Sequence, residues 1–151
     1  MKHQKFVDEE ELKELFWNRY KQREIPLKHL FNASINKESI DMLTLETMID
    51  GQSKIYSFVF SIKDIRSVLS KAEANLKYAN KSWIVIPIEK EKAVNNRYLI
   101  QLEEMKHIGV IGVKKPNGFY KRFYSPKDQE SPESLSLAFD LFDKELDFRE
   151  D

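Results

Sequence analysis

The chain has 151 residues, 41% of them hydrophobic, with 25 basic and 25 acidic side chains, a composition that suits one compact domain with a buried core. It has no cysteine, which excludes disulfides, thiolate catalysis and zinc–thiolate sites and agrees with a cytoplasmic protein. No run approaches the roughly 20 apolar residues of a membrane span, and Met1-Lys2-His3-Gln4-Lys5 lacks the apolar core of a signal peptide.

Asp8-Glu9-Glu10-Glu11 opens a helix with Leu12, Leu15, Phe16 and Tyr20 on one side, and acids in its first turn suit the positive end of a helix. Arg23-Glu24-Ile25-Pro26 ends it, because proline steers the residue before it away from helical geometry. Leu27 to Ile35 reads as a first strand, with His29 on it as a hydrogen-bonded structural residue rather than a ligand. Ile40 to Leu45 and Lys54 to Ser61 read as two more strands, reversed about Asp50-Gly51. Ile62, Ile65, Val68, Leu69, Ala72, Leu76 and Ala79 recur at three- and four-residue spacing, which predicts an amphipathic helix over 62–79. Asn80-Lys81 closes that helix. Trp83-Ile84-Val85-Ile86 has no alternation, as in a strand covered on both faces, so strand, helix and strand form a parallel crossover.

Ile88 to Val94 is charged and predicts a loop. Val94, Tyr98, Leu99, Leu102 and Met105 then predict a second crossover helix through about Lys106. Ile108 to Val113 is another buried strand, and the Pro116-Asn117-Gly118 turn returns Phe119 to Tyr124 as the second arm of a hairpin. Ser125 to Glu133 is a polar linker. Ser131-Pro132-Glu133 starts a last helix whose stripe of Leu135, Ala138, Phe139, Phe142 and Leu146 either caps the sheet or docks on a partner protein.

The zero charge balance argues against a nucleic-acid binder, but it hides an asymmetry. Residues 54–127 hold 15 Lys or Arg against six Asp or Glu, whereas residues 128–151 hold nine acids against Lys144 and Arg149. Two readings are open: a basic central region that faces phosphate while the acidic end stays away or covers it, or two solvated faces. Lys114, Lys115, Lys121 and Arg122 cluster around the hairpin with Phe119, Tyr120, Phe123 and Tyr124. Such interleaving can hold phosphate and stack bases, or simply form an amphipathic strand. Other chemistries find no footing: the four glycines form no phosphate-cradling loop, the three histidines have no metal-ligand spacing, and no serine sits in a nucleophile elbow.

Asp41 stands in a strand that precedes a turn and a second strand. Together with Ser61-Ile62-Lys63-Asp64-Ile65, the helix segment Ala72 to Ala79 and the glycine-bearing Ile108 to Val113, it resembles the restriction-endonuclease-like superfamily of PD-(D/E)XK nucleases, between Glu9 and Tyr124. The resemblance implies an α/β fold with an α-β-β-β-α-β core, a mixed central sheet flanked by helices, and a C-terminal hairpin and helix. Residues 1–127 would be the domain, and 128–151 an acidic C-terminal helix packed on it or extending from it. It also implies a role for Asp41 as the first metal-binding acid.

The family's Glu-X-Lys motif falls at Ser57 and Val59, which supply neither a carboxylate nor an ammonium. No Glu or Asp occurs between Gly51 and Lys63, so a shift of register does not restore it. The resemblance therefore implies a noncatalytic relative, needing no cofactor, that acts as a DNA-associated or protein-binding module. Two alternatives remain open. One is a nuclease using Mg²⁺ or Mn²⁺ at Asp41, with a second acid from Glu9, Glu10, Glu11 or Glu46 and a lysine migrated to the helix, Lys71 first and Lys63 second. The other is a small adaptor that binds another protein through its last helix. No membrane association is expected, and the oligomeric state stays open.

Overall fold

The structure, a computed structural model, describes residues 5–150, with side chains as far as Lys144. Met1 to Gln4 and the side chain of Leu146 lie outside the described residues. The elements run α1 (Glu9–Arg23), β1 (Lys28–Ile35), β2 (Glu38–Thr47), β3 (Ser53–Phe60), α2 (Arg66–Asn75), β4 (Lys81–Pro87), α3 (Glu91–Arg97), α4 (Leu99–Met105), β5 (Ile108–Val113), β6 (Tyr120–Tyr124) and α5 (Leu135–Glu150).

All six strands form one mixed sheet in chain order. β1, β2 and β3 make an antiparallel meander. The α2 crossover then sets β4 parallel to β3, and α3 with α4 set β5 parallel to β4. β6 turns back antiparallel at the far edge. The expected α/β fold, with a mixed sheet, flanking helices, a late hairpin and a terminal helix, is the one observed.

Period-two alternation divides the core into two sides. On β3 the even positions Tyr56, Phe58 and Phe60 pack with Phe16 and Tyr20 of α1, joined by Trp83, Val85, Ile111 and Val113. The opposite side has two clusters: Val59, Ile84 and Val110 under Leu69, Ala72 and Leu102, and Leu43, Leu45 and Ile55 under Ala138 and Phe142 of α5. Each fully buried side chain of this size contributes about 1.5–3 kcal/mol. The α5 stripe therefore faces the sheet: its described members Ala138 and Phe142 are buried, with Leu135 and Phe139 against them.

Several boundaries differ from the sequence reading: α5 starts at Leu135 rather than at Ser131 to Glu133, β2 runs Glu38–Thr47 rather than Ile40 to Leu45, and three differences are larger. The α2 helix covers only Arg66–Asn75 of the predicted 62–79. Ile65, Tyr78 and Ala79 are buried from the flanking turns, because an apolar residue need not be helical to reach the core. The segment read as a charged loop, 88–94, starts with a single tight turn at Ile88–Lys90 and is already in α3 by Glu91. The helix predicted through Lys106 is two, broken at Tyr98, where φ −123 and ψ −8 depart from helical values. Asp8 caps α1 by accepting the Glu11 N–H at 2.9 Å.

Among the described residues, no helix is long and apolar enough to cross a membrane.

Candidate functional site

Asp41 sits where the strands part. The β2–β3 ladder ends at Met42 and Phe58, and the Phe60 N–H, which would otherwise seek a carbonyl, donates to Asp41 Oδ2 at 3.1 Å. The next amide, Ser61, donates instead to the Val85 carbonyl on β4. Alternation also breaks here. Ile40 and Leu43 pack in the same cluster under α5 while Met42 packs under α1, so Asp41 occupies the irregular step. Across from it, Asn32 has φ +52 and falls out of a register that pairs Phe31 with Met42 and Ala33 with Ile40. Local irregularity of this kind re-aims a side chain at the rim of a sheet.

The re-aimed carboxylate meets α2. Lys71 Nζ lies 2.6 Å from Asp41 Oδ1. The two side chains are 42% and 24% exposed, so the pair stands at the surface rather than in the core. Lys71 reaches back because its neighbour Ala72 is fully buried on β3 and β4, which turns position 71 toward the sheet edge. Lys63 is exposed, and its backbone N–H is held by Ser61 Oγ at 3.2 Å. Its side chain makes no contact with Asp41.

From the other side, α1 approaches. Glu9, Glu10 and Lys13 join Asn32, Asp41 and Phe60 around a cavity of about 160 Å³. Glu10 pairs with Lys13 at 3.3 Å, and Lys13 is only 12% exposed, with its ammonium 5.3 Å from the Phe31 ring centre. Lys13 and Asn32 are the members the sequence reading missed. No periodicity singles out one lysine on a charged helix face, and Asn32 is special only through its backbone. The cavity adjoins one of about 570 Å³ that shares Glu10, Lys13 and Asn32 and continues to Trp17 and Phe31. His29 packs on Trp17 of that wall, their ring centres 4.2 Å apart.

The other expected residues lie elsewhere. Glu11 accepts from the Val7 N–H and from Lys115 Nζ, each at 2.8 Å, and the Lys115 hydrogen bond holds its carboxyl below the ordinary range. Glu46 is five residues along β2 from Asp41, roughly 17 Å at strand rise. Ser57 pairs with Leu43 and shares a hydrogen bond with Ser82 Oγ at 2.5 Å. Continuing the register from Met42 and Phe58 places Val59, not Ser57, across from Asp41, and Val59 is fully buried.

A divalent ion of the Mg²⁺ class requires several oxygen ligands. Both Asp41 oxygens are already engaged, and the facing strand offers apolar Val59. Among the described residues, no three acids or histidines stand close enough together to hold a metal. The donor set does not fit the ion that the family resemblance implies.

The basic hairpin is largely neutralised. Lys115 pairs with Glu11, Lys121 with Glu91 at 2.7 Å, and Arg122 with Glu24 at 2.6 Å. Lys114 is exposed and makes no side-chain hydrogen bond, ion pair or ring contact among the described residues. Phe123 lies flat on Gly112, where any Cβ would clash with its ring, so the aromatics of β6 serve sheet packing.

No family model matches the chain, and no curated protein matches it. Among solved structures it is similar to a protein of unknown function from Silicibacter pomeroyi, with 11% identity, a TM-score of 0.62, and coverage of 95% of this chain and 89% of that one. At that identity the likeness shows the α/β fold alone.

Proposed function

We propose that this chain is a noncatalytic nucleic-acid-binding module built on a restriction-endonuclease-like frame. One observation carries the noncatalytic part: Lys71 and the Phe60 amide hold both oxygens of Asp41, and the position across the ladder is Val59. Phosphodiester cleavage of this kind needs carboxylates converging on a divalent ion, and a carboxylate bound to an ammonium beside a valine does not supply them. The α-β-β-β-α-β order, with β3 parallel to β4, supports the frame. The surplus of cations over residues 54–127, reduced where Lys54, Lys81, Lys115 and Arg122 pair with acids outside that span, supports the nucleic-acid part. A protein adaptor working through α5 has less support, because that helix packs Leu135, Ala138, Phe139, Leu141 and Phe142 on the sheet and leaves only Leu137 exposed among its described apolar residues.

The test pairs calorimetry with binding. Titration of Mn²⁺ into the purified chain should give no saturable heat, and a labelled oligonucleotide should bind with an affinity that falls steeply as salt rises. Saturable Mn²⁺ binding that disappears in Asp41→Ala, together with cleavage of the oligonucleotide, would overturn the noncatalytic reading. Absence of any salt-sensitive binding would overturn the nucleic-acid part.

A further inference from the structure

A second groove, on the far side of α2 from Lys71, brings together two arginines that no other described residue engages. Of the other described arginines, Arg122 pairs with Glu24, Arg19 stacks on Phe119 with its guanidinium carbon 4.1 Å from the ring centre, and Arg23 stacks on Tyr120 at 4.7 Å. Arg66 and Arg97 are exposed and make no hydrogen bond, ion pair or ring contact among the described residues. They line one cavity of about 640 Å³, between α2 and the α3–α4 pair.

Their convergence follows from local geometry. Arg66 and Ser70 are four residues apart and so share a face of α2. The break at Tyr98 separates α3 from α4 and places Arg97 at the end of one short helix, with Tyr98 and Gln101 close behind it. Had the chain continued as one helix, positions 97 and 101 would simply have been neighbours on its surface. Tyr98 is half-buried against the core under α2, which fixes its ring at the wall of the groove.

We infer that this groove binds a nucleotide phosphate. A guanidinium is a planar fork that matches phosphate oxygens two at a time, and two unpaired forks on one concavity carry charge with no internal partner. Ser70 adds a hydroxyl donor. The Tyr98 ring offers a stacking face for a base, and Gln101 offers an amide for a base edge. Glu73, also on the groove wall, would repel a bare phosphate; with a nucleotide it can accept from a base amino group or a sugar hydroxyl. That combination favours a nucleotide over inorganic phosphate. The phosphate chemistry is common to a free mononucleotide and to a nucleotide within a single strand. The inference does not depend on the state of Asp41.

The experiment uses the whole chain with three probes: inorganic phosphate, adenosine monophosphate, and a short fluorescein-labelled single-stranded oligonucleotide. Calorimetry reads the first two and fluorescence anisotropy the third. Arg66→Gln and Arg97→Gln should each weaken binding about tenfold, the size of one lost charge-assisted contact, and Asp41→Ala should leave it unchanged. Both arginines are exposed, so the variants should keep the far-ultraviolet circular dichroism of the parent. Saturable binding of the mononucleotide, lost in the double variant, assigns the groove to free nucleotides. Oligonucleotide binding alone, lost in the same variant, assigns it to single strands. Oligonucleotide binding that survives in the double variant sinks the groove while leaving the nucleic-acid module standing. Mononucleotide binding without oligonucleotide binding keeps the groove and sinks the module. No saturable binding of any probe overturns the inference outright.

Discussion

Beyond Glu38 at its start, β2 carries one acid toward each end, Asp41 and Glu46, and the fold treats these two in opposite ways. At one end Asp41 has an ammonium at 2.6 Å and a backbone amide at 3.1 Å. At the other, Glu46 is 5% exposed and meets the Tyr20 hydroxyl at 2.9 Å. Burial raises the Glu46 carboxyl above its ordinary range, against the opposing pull of the Tyr20 hydrogen bond. Tyr20 is itself pushed up, by burial first and then by the Glu46 charge. An acid in an apolar strand is thus no single signal: its environment, set by what the neighbouring helix offers, decides whether the strand presents the carboxyl at the surface or buries it.

Tyr20→Phe should break the contrast most severely. It leaves Glu46 buried without its donor and should cost about 2 kcal/mol at neutral pH, the desolvation penalty of an unsatisfied buried group. Chemical denaturation should read a smaller loss in acid, where Glu46 is protonated. Glu46→Gln sharpens the comparison from the other direction. Because the folded chain favours protonated Glu46 more than the unfolded chain does, its contribution is greatest below the ordinary carboxylate range and falls as pH rises through the raised folded value. The amide keeps an acceptor for Tyr20 and carries no charge, so the variant should be more stable than the parent near pH 8, a gain that vanishes toward pH 4. Thermal melts across that range check the slope.

At the Asp41 end the effects shrink. Asp41→Ala removes the acceptor of the Phe60 amide at the strand end and should cost about 1 kcal/mol. Lys71→Met removes only a half-exposed ion pair, worth about 0.5 kcal/mol and screened by salt. A Lys71→Met cost above that of Tyr20→Phe would overturn the comparison.

How much of this was legible depends on the kind of signal. The span Ile108–Val113 matches its strand at both ends, because a run buried on both faces is bounded by the turns that release it. Asp41 stood out as a charge among apolar neighbours, and Lys71 through its adjacency to buried Ala72; the structure brings the two together. Lys13 and Asn32 gave no such sign. One is a lysine among many, and the other owes its place to a positive φ that asparagine tolerates. The break at Tyr98 was hidden for a similar reason, since apolar spacing across residues 94–105 continues through the kink. The ion pairs that quench the hairpin join residues 30 positions apart at Lys121 and Glu91 and about a hundred apart at Lys115 and Arg122, beyond any local pattern.

The linker between β6 and α5 has a consequence for how the molecule comes apart. Gln129 Nε2 donates to the Leu76 and Ala79 carbonyls, and its backbone exchanges hydrogen bonds with Asn80, whose side chain also takes the Ile55 amide. The Ser134 amide goes to the Lys77 carbonyl. Release of α5 would strand this whole set of buried groups at the turn between α2 and β4. The last helix and the central crossover are thereby fastened into one cooperative unit. In hydrogen–deuterium exchange, the amides of Ile55, Asn80, Gln129 and Ser134 should open together, as a seam gives way along its length rather than stitch by stitch.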